Sequence, residues 1–271
     1  MNNLHFSPQK MFFNPFFRGS AQPISVFSLT LQQLFKDDII VNIFKKILRW
    51  IGYALIFFFV SSITAVVVLK WMPVYYTPLM VMKSAGNLFT GKNTAINHEW
   101  VPLDSMTHHM PQAVIASEDN LFEQHHGFDF EQIYLARLEA LRGGRERGAS
   151  TISQQTAKNV FLWQGHSWVR KGLEAYFTFL IEHIWGKKRI MEVYLNSIEM
   201  GDGIYGVQAA ARINFNKDAS RLTKNECALI AASLPNPIKF DSAHPTGYMI
   251  KRRHKIVDLM GKVKQCPWGK K

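Results

Sequence analysis

Two adjacent carboxylates, Glu118 and Asp119, end an apolar run, Ala113-Val114-Ile115-Ala116. Phe122, His125, Gly127 and Asp129 follow them. Neighbouring carboxylates repel, so one of the pair tends toward a raised pKa unless cations or donors compensate. A carboxylate of that kind beside a hydroxyl is a general acid or base. A Glu-Asp pair by itself is also what a solvated helix end carries. Here an aromatic and an imidazole at helical spacing stand behind it, and a glycine then releases the chain.

A second cluster runs from Gly148 to Asn159, G-A-S-T-I-S-Q-Q-T-A-K-N. On a helix Thr151, Gln155 and Lys158 fall at i, i+4 and i+7 and share one face. A hydroxyl, an amide and an ammonium there suit a phosphate or a sugar oxygen, although an exposed polar face has the same spacing. The third cluster is Arg170-Lys171 with Glu174, which alone reads as an ordinary helical salt bridge of small energy. Other partial motifs lack their context. Gly86 to Lys92 starts like a phosphate-binding loop, but Asn93 replaces the required Ser or Thr. Ser7 to Lys10 has the S-x-x-K form without S-D-N or K-T-G downstream. The doublets His108-His109 and His125-His126 are not at zinc-helix spacing.

The elements that must position these groups are mostly helical. Ile51 to Leu69 is an uncharged apolar run flanked by Trp50 and Trp71. It spans roughly 28 Å, close to the thickness of a bilayer core. Lys45, Lys46 and Arg49 precede it and only Lys70 directly follows, so the positive-inside rule places the N-terminus in the cytoplasm. The expected organisation is a cytoplasmic tail (1–49), a transmembrane helix (50–71) and a periplasmic domain (72–271). The Phe-rich first 35 residues read as an irregular flexible tail.

In the outer part, helices are predicted from Pro111 through Phe122 and over Asp129–Leu141. Arg142 to Gly148 follows as a glycine-rich charged loop, mobile by composition. The next helix starts at Thr151 with a Thr151/Gln154 capping box. Further helices are predicted over Trp168–Trp185 and Lys188–Asn196, after a Thr223/Glu226 capping box, and over Met249–Val263. Strand signals are scarce, so the class is mainly α.

The 271 residues carry 32 Lys+Arg against 20 Asp+Glu. Seven of the basic and two of the acidic residues precede Met72, leaving 25 against 18 in the outer part. A basic domain tethered outside the membrane meets anionic headgroups and lipid phosphates rather than nucleic acid. Two cysteines, Cys227 and Cys266, make neither a disulfide framework nor a metal spacing.

Taken in order, the motifs E-D-x-x-F-x-x-H-x-G-x-D (Glu118–Asp129), G-x-S-T-I-x-Q-Q-x-x-K-N (Gly148–Asn159), R-K-x-x-E (Arg170–Glu174), K-x-x-I-M-E-x-Y-L-N (ending at Asn196) and G-I-x-G-x-x-x-A-A (Gly203–Ala211) resemble the peptidoglycan glycosyltransferases. The match runs from about Trp100 to Pro237. The chain ends soon after the last motif, so the resemblance is to the monofunctional type and no transpeptidase domain is expected.

The resemblance implies a lysozyme-like helical fold with a small membrane-contacting lobe, in the cell inner membrane. It implies lipid II and the nascent glycan strand as substrates, β-1,4 transfer with inversion, and release of undecaprenyl pyrophosphate. It implies Glu118 as the base for the acceptor hydroxyl, with Asp119, Phe122 and His125 shaping that site. Ser150, Thr151, Gln155 and Lys158 line the donor side. Arg170 and Lys171 meet the pyrophosphate, and Glu174 is a second essential acid orienting those cations or a divalent metal. The implied partners are inner-membrane lipids and proteins of the wall-synthesis complexes. The implied cofactor is no tightly bound group, with Mg or Mn as the divalent cation at the pyrophosphate. A membrane-bound lytic hydrolase is the first rival reading, but it needs no Arg/Lys cluster for a leaving group. A non-enzymatic scaffold is the second; it would not need both Glu118 and Glu174.

Overall fold

The computed structural model describes residues 23–144, 148–165 and 167–270, with only the backbone for 23–35 and 37. Residues 1–22 of the tail and 145–147 of the glycine-rich loop lie outside the described residues. The chain divides into two compact units, Met1–Val60 and Ser61–Lys271.

The first unit is built on helix α1, which runs over Pro23–Leu69 and continues into the second unit. It therefore begins well before the expected span, and residues 23–35, read from the sequence as irregular, are helical. Pro23 stands at its first position, where a missing N–H costs nothing, and no further proline or glycine interrupts it before Gly52. Its Asp38–Leu69 portion is long and apolar enough to cross a membrane, and only 11% of the apolar 18-residue window within it is buried. A core helix of a soluble domain would be mostly covered.

In the second unit, α2 spans Pro78–Thr90, α3 His109–Glu118, α4 Phe130–Leu141, α5 Ile152–Phe161, α6 Trp168–Ile184, α7 Lys187–Ser197, α8 Val207–Phe215, α9 Lys224–Ser233 and α10 Gly247–Met260. A small sheet pairs β1 (Asn97–His98) in parallel with β3 (Ile204–Tyr205), and β3 antiparallel with β2 (Glu199–Gly201). The core centres on α3, whose residues Met110 to Ala116 are all buried. The small side chains of α9, Cys227-Ala228 and Ala231-Ala232, let it approach α3 closely, and α10 packs on both. Helices α5, α6 and α7 form the neighbouring layer, where Phe161 stacks on Phe177 at 4.5 Å.

The capping boxes read from the sequence at Thr151/Gln154 and Thr223/Glu226 are both formed. The predicted helix from Pro111 to Phe122 is shorter at its end. It starts at His109 and stops at Glu118, because Asp119 takes φ −160° and ψ 80°. Phe122 and His125 therefore do not continue a helical face behind the acids, and they reach the site through a chain of turns.

Asn196 ties the layers to the sheet. It is fully buried; its Oδ1 accepts from Val101 N–H at 2.9 Å, and its Nδ2 donates to the carbonyls of Val101 and Glu192 at 2.9 and 2.8 Å. Beside it, Gly206 holds φ +81°, and a Cβ there would stand 2.6 Å from the Asn196 carbonyl oxygen. Asn196→Ala strands the Val101 N–H and carbonyl away from water, which costs about 2–4 kcal/mol. Denaturant melts of the two proteins measure that loss.

Candidate active site

Glu118 is the last residue of α3, and its side chain is 13% exposed. Its Oε1 accepts from Ser117 Oγ at 3.0 Å and lies 3.6 Å from Arg252 Nη2. Its Oε2 faces Gln155 Nε2 at 3.4 Å. Burial pushes its carboxyl above the ordinary glutamate value of 4.5; Ser117, Gln155 and Arg252 oppose that push, and Asp119 adds least to it. The raised pKa expected from repulsion within the Glu-Asp pair is thus present, but its main cause is desolvation.

Asp119 contributes little because it is turned elsewhere. Its oxygens lie 2.9 and 3.0 Å from His125 Nε2, and Oδ2 also accepts the Ile152 N–H at 3.0 Å. A carboxylate at the first amide of α5 is favoured by the helix dipole. His125 Nδ1 accepts from Gly127 N–H at 3.1 Å, so Nε2 carries the ring proton and donates to Asp119. Gly127 has φ +92°, and a Cβ on it would lie 2.9 Å from both Glu182 Cγ and Thr178 Cγ2. Only glycine closes this turn. Phe122 is fully buried, edge-on to His125 and Trp268 with ring centroids 6.3 Å away, and it lies under the Lys187 ammonium at 4.6 Å. It supports the turn from inside.

Glu118 opens into a cleft of about 690 Å³ lined also by Asp119, Ser150, Thr151, Gln155, Lys158 and Arg252. Ser150 is exposed. Thr151 is buried and spends its hydroxyl on the Gly127 carbonyl at 2.7 Å while capping α5. The Lys158 ammonium makes no hydrogen bond or ion pair among the described residues. Burial lowers its pKa; Glu174 opposes that shift, and Arg170 and Lys171 add to it. Arg170, Lys171 and Glu174 do not line the cleft themselves. They form a compact triad on α6, with Arg170 Nη1 donating to Glu174 Oε2 at 3.1 Å and Lys171 Nζ paired with Oε1. Glu174 is 3% exposed. Lys158 links the triad's field to the cleft.

Both Glu174 oxygens are taken by the two cations, and no three His, Cys, Asp or Glu side chains converge among the described residues. This donor set does not fit a divalent cation held by protein ligands; Glu174 orients its two cations.

Three contributors were not assigned roles from the sequence. Ser117 and Tyr194 touch Glu118 and Gln155 respectively. Arg252 arrives from α10, with Nη2 also 3.1 Å from Ser117 Oγ. One signal for Arg252 exists in the sequence: it sits three residues after Met249 and four before Ile256, both buried, so an arginine occupies the inward stripe of a basic helix.

A carboxylate kept partly protonatable beside a desolvated ammonium, with a cation pair behind, is the equipment of a group transfer to a hydroxyl with an anionic leaving group. A family model described as Transglycosylase matches residues 85–261, and the chain belongs to that family; it is a glycosyltransferase. Among its relatives, a biosynthetic peptidoglycan transglycosylase of Bacteroides thetaiotaomicron is 59% identical over 223 residues, covering 82% of this chain and 90% of that one. Proteins of the same description from Pseudomonas entomophila and Bdellovibrio bacteriovorus are 48% and 47% identical, over 77% and 78% of this chain and 88% and 84% of theirs.

Arg252→Gln removes the cation nearest Glu118 and moves that carboxyl further up. The low-pH limb of the glycosyl-transfer rate should therefore shift to higher pH by about half a unit to one unit, the range of a nearby partly exposed charge. A pH–rate series on both proteins reads the shift.

Proposed function

We propose that this chain polymerises the glycan strand of peptidoglycan from lipid II, transferring the growing strand to the 4-hydroxyl of the incoming disaccharide. Glu118 takes the proton of that hydroxyl as its oxygen forms the new bond to the donor's anomeric carbon. The bond from that carbon to the pyrophosphate oxygen breaks on the opposite face, so the configuration inverts and a β-1,4 link results. Undecaprenyl pyrophosphate leaves as an anion, with Lys158, Arg170 and Lys171 offsetting its charge and Glu174 holding the last two in place.

The observation that carries this reading is the polarity of the site. A buried carboxylate with a raised pKa lines the cleft. A desolvated ammonium lines the same cleft, coupled to the Arg170–Lys171–Glu174 triad. The relatives' shared description as peptidoglycan transglycosylases supports the same substrate class. The helix over Asp38–Leu69 would anchor the protein once in the inner membrane. Lys45, Lys46 and Arg49 on its N-terminal side favour a cytoplasmic N-terminus and a periplasmic cleft. A lipid-linked substrate is then held in the plane from which the enzyme works. No peptide cross-linking is assigned, since S-D-N and K-T-G motifs do not accompany an S-x-x-K here.

In detergent with labelled lipid II, wild-type protein should yield lysozyme-sensitive polymer, and Glu118→Gln should lose about 10²–10⁴-fold in rate. Because the base must be ionised, wild-type activity should fall as pH drops through a pKa above 4.5. The raised carboxyl also destabilises the fold at pH above its own pKa. Glu118→Gln should therefore melt higher than wild type near neutral pH, with the gain fading below the ordinary glutamate range.

A further inference from the structure

We infer that Tyr194, a residue that does not line the cleft, is a positioning residue for the general base, acting through the amide of Gln155. The inference rests on Glu118 being that base. Tyr194 lies on α7, fully buried, and its hydroxyl donates to Gln155 Oε1 at 3.1 Å. That bond fixes which end of the amide faces the cleft. With the carbonyl oxygen engaged by Tyr194, Gln155 Nε2 is directed to Glu118 Oε2 at 3.4 Å and to the Ser150 carbonyl at the same distance. An amide donor facing a carboxylate favours its ionised, proton-accepting form; an amide carbonyl in the same place would favour the protonated form. The choice between them is made one layer beneath the cleft.

The other groups facing Glu118 do not make this choice. Ser117 and Arg252 both address Oε1. Asp119, on the chain next to Glu118, is engaged by His125 and Ile152. Lys158 lines the same cleft without a bond to Glu118. Oε2 has Gln155 alone as its protein donor among the described residues. Burial and the charges of Glu118 and Asp119 push the Tyr194 phenol well above the ordinary tyrosine range, so it keeps the proton that it donates to Gln155 Oε1. Its OH stays protonated wherever the enzyme works.

Tyr194→Phe keeps the ring and its packing and removes only the hydroxyl. The Gln155 amide then keeps only the Ser150 carbonyl and the Glu118 carboxylate to orient it and populates the flipped orientation more. The low-pH limb of lipid II polymerisation should rise by about half a unit, and kcat near neutral pH should fall roughly two- to fivefold while KM changes less than about twofold. Gln155→Met should move the limb the same way, and the Tyr194→Phe/Gln155→Met double variant should move it no further than Gln155→Met alone, because the tyrosine acts only through the amide. 3-Fluorotyrosine at position 194, a stronger donor of nearly the same size, should shift the limb downward, which covers the case in which Tyr194→Phe is too unstable to assay. A limb unmoved in Tyr194→Phe or in the fluorinated protein overturns the inference, as do additive shifts in the double variant. A tyrosine that is only structural would lower the melting temperature and leave the limb in place. Full activity in Glu118→Gln would instead remove the base assignment itself, a result distinct from an unmoved limb.

Discussion

The geometry of the cleft depends on one carboxylate that takes no proton from the substrate. Asp119 accepts the first amide of α5 and the imidazole of His125, and to do so its backbone leaves the helical region. That departure ends α3 at Glu118 and sends the next residues into turns. His125, fixed to Asp119 on one side and to Gly127 N–H on the other, carries the chain back toward the carbonyl that receives the Thr151 hydroxyl. The end of α3, the turn at His125–Gly127 and the start of α5 are thereby joined through polar groups that are nearly all satisfied. In a buried setting such a network is stiff, because each broken bond strands a partner away from water. The adjacent acids thus divide their work: one organises the backbone, and the other is left desolvated and able to change protonation.

Desolvation acts in opposite senses on the acid and the ammonium that line the cleft. On Glu118 desolvation favours holding a proton; on Lys158 it favours losing one, and the Arg170–Lys171 pair adds to that. Each group is pressed toward neutrality when the cleft holds no charge of its own. In the proposed reaction, a hydroxyl that gives up a proton to Glu118 and an anion that emerges near Lys158 relieve both strains together. Protein dipoles and charges fixed in advance need little reorganisation when that happens.

Local features were legible in the sequence, and long-range ones were not. Thr151 with Gln154 and Thr223 with Glu226 announce helix starts because each box is complete within four residues. A raised carboxyl was legible in the Glu118–Asp119 pair, whereas its main cause, desolvation, was not. Adjacency pointed to Asp119, but adjacency says nothing about where a side chain turns, and Asp119's partners His125 and Ile152 lie 6 and 33 residues away. The end of α3 was misplaced for the same reason. Arg252 joins the site from 135 residues beyond Ser117, a distance no local pattern spans. Residues 23–35 looked irregular because Phe-rich flanking text outweighed the absence of any helix breaker between Pro23 and Gly52.

The exit of α1 bears on how the protein can be handled. Its last carbonyls do not end in solvent: Val66 accepts from Trp185 Nε1 at 2.7 Å, and Leu69 from Arg189 Nη2 at 2.8 Å. Val66 is itself fully buried in the domain core, and Ser62 Oγ lies 2.9 Å from the Tyr176 hydroxyl. The last turns of the apolar helix are thus part of the globular unit, which begins at Ser61. A soluble fragment cut where the hydrophobic run stops would lose a core side chain and orphan the buried Trp185 indole N–H, so the helix end belongs with the enzyme even when the membrane is dispensed with.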